Sequence, residues 1–265
     1  MADLPEELDI TVPNTARIYD FLLGGKDHFQ ADRQAADKLI SLVPAVPRQV
    51  QENRGFLRRA VRYLAAEGVS QFLDIGVGLP TRGAVHEIAH QVNREARVAY
   101  VDYDPAVVLH GNVLLTEPDR SIVVRGDVRD PAAIMADPAV TDHLDFSRPV
   151  AVFLLAVLHF VTPGDDPYGL VATLRDALAP GSYLVLSHVT RDNISDELAE
   201  QAVRLYDNAS APLNPRTRDE VTRFFDGLEI IPPGIVHDSD WRPDLDDEGP
   251  QDPPRLGWAG VGRKP

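Results

Sequence analysis

From about Arg48 onward the apolar positions of this chain switch repeatedly between two periods. Apolar residues three and four apart predict helices over Gln49 to Glu67, Thr81 to Asn93, Pro105 to Thr116, Tyr168 to Leu178, Asp196 to Asn208 and Thr217 to Asp226, with Gly68 as a C-terminal cap. Short apolar runs between them predict strands around Phe72 to Ile75 and at Val98 to Asp102, Ser121 to Arg125, Val150 to Val157, Tyr183 to Ser187, Leu228 to Ile231 and Leu256 to Val261. The run at Val150 to Val157 is almost unbroken, as a central strand buried on both faces requires. Strand and helix in alternation, with no internal repeat, predict a doubly wound α/β domain.

Two segments fall outside that pattern. Asn14 to Phe29 places Ile18, Phe21 and Leu22 at helical spacing and breaks at Gly24 and Gly25. It predicts an N-terminal helical cap over residues 1–47, ahead of a sheet domain over residues 48–265. The segment reads equally as a lid, with Tyr19, Gly24 and Gly25 against a ligand, or as a passive cap whose helix ends at Gly24. The second segment, His237 to Arg255, is acidic and proline-rich and predicts a mobile surface loop. Its one large apolar residue, Trp241, either anchors the loop or covers a pocket.

Composition narrows the class. The chain has 265 residues, 44% of them hydrophobic, enough for one substantial α/β core. The absence of an apolar run of about 18 residues, with an acidic start (MADLPEELDI), predicts a soluble cytoplasmic protein with no membrane partner. Without cysteine there is no disulfide, thiolate metal site or cysteine nucleophile, and no metal is expected. A net charge of −15 argues against nucleic acid as a partner, because a phosphate backbone calls for a basic stripe. Arg54, Arg58, Arg59 and Arg62 follow helical spacing beside Phe56, Leu57, Val61 and Leu64, which predicts the solvated face of an amphipathic helix.

The chemistry concentrates at predicted strand ends. In QFLDIGVGLPTRG, from Gln71 to Gly83, Asp74 precedes two glycines, Gly76 and Gly78, whose missing Cβ atoms let backbone turn sharply and approach a ligand. A dinucleotide fingerprint requires a third glycine where Thr81 stands, and Asp74 would repel a pyrophosphate. The same acid accepts hydrogen bonds from an ammonium group, such as that of S-adenosylmethionine. Asp102 ends the next strand, 28 residues on, where an acid takes both hydroxyls of a ribose; Asp104 and Pro105 then open a helix. Asp127, after SIVVRG, serves either as an acceptor for an adenine amine or as a helix-capping or turn acid. Tyr103, Val128 and Leu155 complete the expected cofactor set.

DIGVG, YVDYDP, RGDV and LRDALAPGSYLVLS resemble the ordered motifs of class I S-adenosylmethionine-dependent methyltransferases, a likeness running from Arg48 to Lys264. More narrowly, PNTARIYDFLLGGKDHFQADR (Pro13 to Arg33), RFFDGLEIIPPG and GVGRKP are similar to an actinobacterial S-adenosyl methyltransferase family formerly catalogued as a domain of unknown function, over nearly the whole chain. The resemblance implies a Rossmann-like seven-stranded sheet whose last strand returns antiparallel, and S-adenosyl-L-methionine as cofactor. It leaves the acceptor open.

Methyl transfer from a sulfonium needs alignment and exclusion of water more than a nucleophilic side chain. A general base helps only a protonated acceptor, and His159, then His188, are placed for that role; both also suit structural hydrogen bonds at strand ends. Tyr206, Asp207 and Arg216 are placed toward the acceptor side. The expectation is therefore a methyltransferase acting on a small-molecule acceptor. Two alternatives use the same sheet: a nicotinamide-dependent oxidoreductase, against which Asp74 and Thr81 count, and a protein that holds S-adenosylmethionine without turnover.

Overall fold

A computed structural model gives the architecture of residues 9–80, 83–117, 119–244 and 255–265. Three helices come first: α1 (Thr15–Leu22), α2 (Gln30–Leu42) and α3 (Val46–Ala66). The sheet region then runs β1 (Gln71–Ile75), α4 (Val85–Val92), β2 (Arg97–Asp102), α5 (Pro105–Leu114), β3 (Ser121–Arg125), α6 (Pro131–Ala136), α7 (Pro138–His143), β4 (Ala151–Leu155), α8 (Pro167–Ala177) and β5 (Tyr183–Val189). It closes with α9 (Asp196–Leu205), α10 (Arg218–Thr222), β6 (Glu229–Ile230) and β7 (Gly257–Arg263).

The seven strands pair in the order β3-β2-β1-β4-β5-β7-β6. Strands β1 to β5 are parallel, and β7 returns antiparallel between β5 and β6. Successive residues of β1 feed opposite cores: Phe72 joins Val98, Tyr100, Phe153 and the α3 and α4 side chains, while Leu73 and Ile75 join Ala99, Val101, Val152 and Leu154 on the other face. That two-residue alternation within an all-apolar run is why the strand is covered on both sides. From β1 the chain builds outward to β3, then crosses back to lay β4 on the other side of β1. The resulting crevice at the carboxyl ends of β1 and β4 is where such sheets hold ligands.

Several elements differ from the sequence reading. The fourth strand stops at Leu155 instead of Val157, because Ala156 takes a left-handed φ of 52° that no strand continues through. Helix α4 begins at Val85, and the expected start at Thr81 lies outside the described residues. Helices α2, α6 and α7 were not predicted. The loop reading of His237 to Arg255 is corrected for its first part: His237, Asp238 and Trp241 are buried, and the Trp241 ring packs edge-on to Phe56 (5.4 Å) and Tyr63 (5.8 Å) of α3. Trp241 is thus an anchor; residues 245–254 lie outside the described residues. The arginine stripe is corrected as well. Arg59 is buried and donates to the carbonyls of Trp241 (2.8 Å) and Asp238 (2.6 Å), so the C-terminal segment covers it, whereas Arg58 and Arg62 of the same stripe keep 48% and 40% of their side chains in solvent.

Candidate functional site

At the carboxyl ends of β1, β2 and β4 lies a cavity of about 180 Å³, and Asp74, Gly76, Gly78, Asp102, Tyr103, Asp127, Val128, Leu155 and Tyr19 all line it. Strand registry brings the acids together: Asp74 sits in β1 opposite Tyr100 of β2, two residues before Asp102. Beyond β1 the chain turns at Gly76 and Gly78, with φ of 81° and 67°. A Cβ on Gly76 would lie 2.5 Å from Val157 Cγ2, whereas one on Gly78 meets nothing within 4 Å and would enter the open cavity. One glycine serves packing and the other leaves room.

The two central acids differ in their partners. Asp102 accepts from the Gly78 amide at Oδ2 (2.9 Å) and from the Asp104 amide at Oδ1 (3.0 Å), while burial pushes its carboxyl up to about 6. Among the described residues no donor reaches the Asp74 carboxylate. Burial pushes it up to about 7, against the attraction of Arg54 and with the repulsion of Asp102 adding to the rise. Farther along the cavity Asp127 is paired with Arg129 (Nε to Oδ1 2.9 Å, and Nη2 to Oδ2 2.5 Å); burial raises its carboxyl, but the Arg129 bonds outweigh that and hold it below the usual range. The Arg129 guanidinium also lies 5.9 Å from the Tyr103 ring centre.

The N-terminal helices roof this space. Asn14 caps α1, its Oδ1 accepting from the Ala16 and Arg17 amides, and its Nδ2 donates to Asp104 Oδ2 (2.6 Å). Tyr19 takes part in a four-element chain: Ala156 N–H donates to Ser187 Oγ (3.0 Å), Ser187 donates to Asn53 Oδ1 (2.6 Å), Asn53 Nδ2 donates to the Tyr19 hydroxyl (2.8 Å), and Tyr19 donates to Val50 O (3.3 Å). Gly24 and Gly25 do not line the cavity. Gly24, at φ 81°, ends α1, and a Cβ on Gly25 would lie 2.0 Å from Asp20 Oδ1, so both are needed by the helix terminus itself.

A second cavity, of about 120 Å³, abuts the first and shares Thr15, Tyr19, Asn53, Ala156 and Phe160 with it. His159 and His188 face this one. His188 is fully engaged: Nδ1 donates to Val189 O (2.7 Å), and Nε2 accepts from Arg216 (2.7 Å). The Val189 amide donates to His159 Nδ1 (3.4 Å), an arrangement that leaves the His159 proton on Nε2. Burial lowers both rings, His188 to about 3 and His159 well below its ordinary value, with His188 and Arg216 lowering His159 further. Burial thus leaves both rings neutral at pH 7, the form that accepts a proton, but makes each a weak base. Tyr206 lines the second cavity, Asp207 is exposed, and Arg216 sits behind His188, bonded to Leu158 O and Val161 O.

Sequence reasoning missed Asn14, Asn53 and Arg54, all of which line the first cavity. Arg54 donates to Gly83 O (2.9 Å). Only Asn14 carried a local signal, a capping residue ahead of a helix.

The fold, the glycine loop and the acids at adjacent strand ends define a class I S-adenosylmethionine-dependent methyltransferase, and two local features fit that cofactor: a buried carboxylate with no donor among the described residues and a glycine opening on empty space. The chain belongs to the S-adenosyl methyltransferase family Methyltransf_19, whose sequence pattern it matches over residues 1–265. It is similar to a DUF574-family protein of Streptomyces avermitilis (41% identity over 97% of this chain and 99% of that one, TM-score 0.91). It is also similar to a candidate methyltransferase of Thermobifida fusca (42% identity over 100% and 99%, TM-score 0.90). Human N-acetylserotonin methyltransferase, solved with S-adenosylmethionine, shares the fold at 15% identity over 95% of this chain and 63% of that one, with a TM-score of 0.51. No curated protein matches the chain significantly in sequence. Among the described residues no helix is long and apolar enough to cross a membrane.

Proposed function

We propose that this methyltransferase acts on a small-molecule acceptor and holds its cofactor in the larger, acid-lined cavity. The observation that carries the reading is the Asp74 and Asp102 pair, two buried carboxyls at the ends of adjacent strands, one of them without a donor. In this reading Asp102 takes the ribose hydroxyls, Asp127 and the backbone at Val128 face the adenine, and Asp74 takes the ammonium. Arg54, beside Asp74, takes the carboxylate of the same amino-acid end. Leu155 and Tyr103 supply apolar contact.

S-adenosylmethionine, when bound, supplies a methyl carbon whose bond to the acceptor forms as the carbon–sulfur pair departs to sulfur, with any acceptor proton leaving to solvent or a nearby base. The chain's own contribution is placement and dryness. Helix α1 closes the cavity through the Asn14 to Asp104 bond, and the Tyr19–Asn53–Ser187 chain fixes the wall between the two cavities. Helices α1 and α2 form a cap that opens to admit ligand in this account. The abutting second cavity has the dimensions of a small molecule, which supports an acceptor of that size over a macromolecule.

Calorimetric titration with S-adenosylmethionine, S-adenosylhomocysteine and NAD tests the cofactor assignment. Micromolar binding of the first two with none of the third is expected. The reverse ranking sinks the reading.

A further inference from the structure

The second cavity lies inside the apolar cluster that packs α1 and α2 against α3 and α9, and its chemistry is unlike that of the first. Its walls are aliphatic, from Leu22, Leu39, Val46, Val50 and Leu213, and among the described residues no lysine or arginine lines it. Asp238 is the one carboxyl among its described lining residues. That carboxyl is 2% exposed; Gln49 Nε2 donates to its Oδ2 (2.7 Å), and Oδ1 has no partner. Its charge is balanced from outside the cavity by Arg59, which is bonded to the Asp238 carbonyl. His159, neutral and buried, keeps a proton on Nε2 for which no described residue supplies an acceptor.

We propose that this cavity is the acceptor pocket and that it takes an uncharged, ring-sized molecule bearing a single hydroxyl edge, which meets the free Asp238 oxygen and the His159 Nε2–H. The inference rests on the cofactor lying in the first cavity, because the shared wall at Thr15, Tyr19, Asn53, Ala156 and Phe160 is what brings the two ligands together. Size follows from volume: a dry cavity of about 150 Å³ accommodates benzene, so at about 120 Å³ this one takes no more than a single small ring. Charge follows from desolvation. An anion would lose its water and meet a carboxyl, and a cation would lose its own water to meet a carboxyl that Arg59 already offsets. A hydroxyl can donate to the buried Asp238 oxygen, which is costly to leave alone, and can accept from the His159 N–H.

The test titrates protein saturated with S-adenosylhomocysteine with phenol, benzoate and benzylammonium at pH 7.5, using calorimetry and ligand-observed NMR. Phenol should bind at least tenfold more tightly than either ion. Ala202→Phe, which projects into the cavity from α9, should abolish phenol binding and leave the affinity for S-adenosylhomocysteine within twofold. If that variant does not fold, Leu213→Trp fills the same space from the opposite wall. Preference for either ion, or phenol binding that survives a folded filling variant, overturns the proposal. Bound S-adenosylhomocysteine with no phenol binding at millimolar concentration defeats this inference alone, whereas failure to bind S-adenosylhomocysteine defeats the cofactor reading beneath it.

Discussion

The Gly78 amide donates to Asp102 Oδ2 at 2.9 Å, so the turn after β1 is tied to the acid that ends β2. Loss of the carboxylate therefore frees that turn as well as removing the proposed acceptor for the ribose hydroxyls. Asp102→Ala is expected to weaken S-adenosylmethionine binding by about 2 to 4 kcal/mol, roughly 30- to 1000-fold. Calorimetry reads the change; an unaltered dissociation constant removes Asp102 from the site.

The two glycines separate packing from binding. Both have positive φ, so alanine at either costs about 1 kcal/mol or more of stability. At Gly76 the added Cβ also strikes Val157, adding about 1 to 3 kcal/mol of overpacking. Gly76→Ala should therefore lower the melting temperature more, while Gly78→Ala should lose cofactor affinity out of proportion to its loss of stability. Thermal unfolding and calorimetry on the same samples check the contrast.

Asp74 gives a signature in pH. Its folded-state carboxyl, near 7, lies above the ordinary 3.8, so the folded protein holds that proton more tightly than the unfolded chain. The stability this contributes is present in full below about 4, falls away as pH rises toward 7, and stays lost above it. Asp74→Asn should thus raise the melting temperature of the unliganded protein at pH 8, with the difference shrinking toward pH 4, and should weaken S-adenosylmethionine binding at pH 8. A variant less stable than wild type at pH 8, binding the cofactor normally, contradicts the assignment.

If α1 opens and closes over the cofactor, amide exchange across residues 14–29 slows when S-adenosylmethionine is added. The helix is held at its N-terminal turn, through Asn14 on Asp104 and through the buried Arg17 to Asp32 pair at 2.8 Å. A passive cap shows the same protection with and without ligand, and that result refutes the lid.

Much of the sheet was legible because its signals are local. An all-apolar run followed by Gly76 and Gly78, and Asp102 at the end of the next run, need only a few residues of context. The Asp-Pro pair that opens α5 recurs at Asp130–Pro131 and Asp137–Pro138, opening α6 and α7; these helices are six residues each, too short for a period to register. Helix α2 was missed because only Asp32, Ala36 and Leu39 of its thirteen residues are buried, leaving a thin apolar stripe. Asn53 and Arg54 were not legible as site residues at all. They lie on α3, whose pattern records its packing on the sheet, and only the fold brings their side chains over the ends of β1 and β4. Nor does sequence report burial, which is what keeps the His159 ring neutral and weakens it as a base.

A crystal structure with S-adenosylhomocysteine bound is the measurement that tests the central claim most directly. The account predicts the ribose hydroxyls hydrogen-bonded to Asp102, the amino group at Asp74, and the sulfur facing the wall shared with the apolar cavity. Ligand lying elsewhere, or lying in this cavity with Asp74 and Asp102 both out of hydrogen-bonding reach, would contradict it.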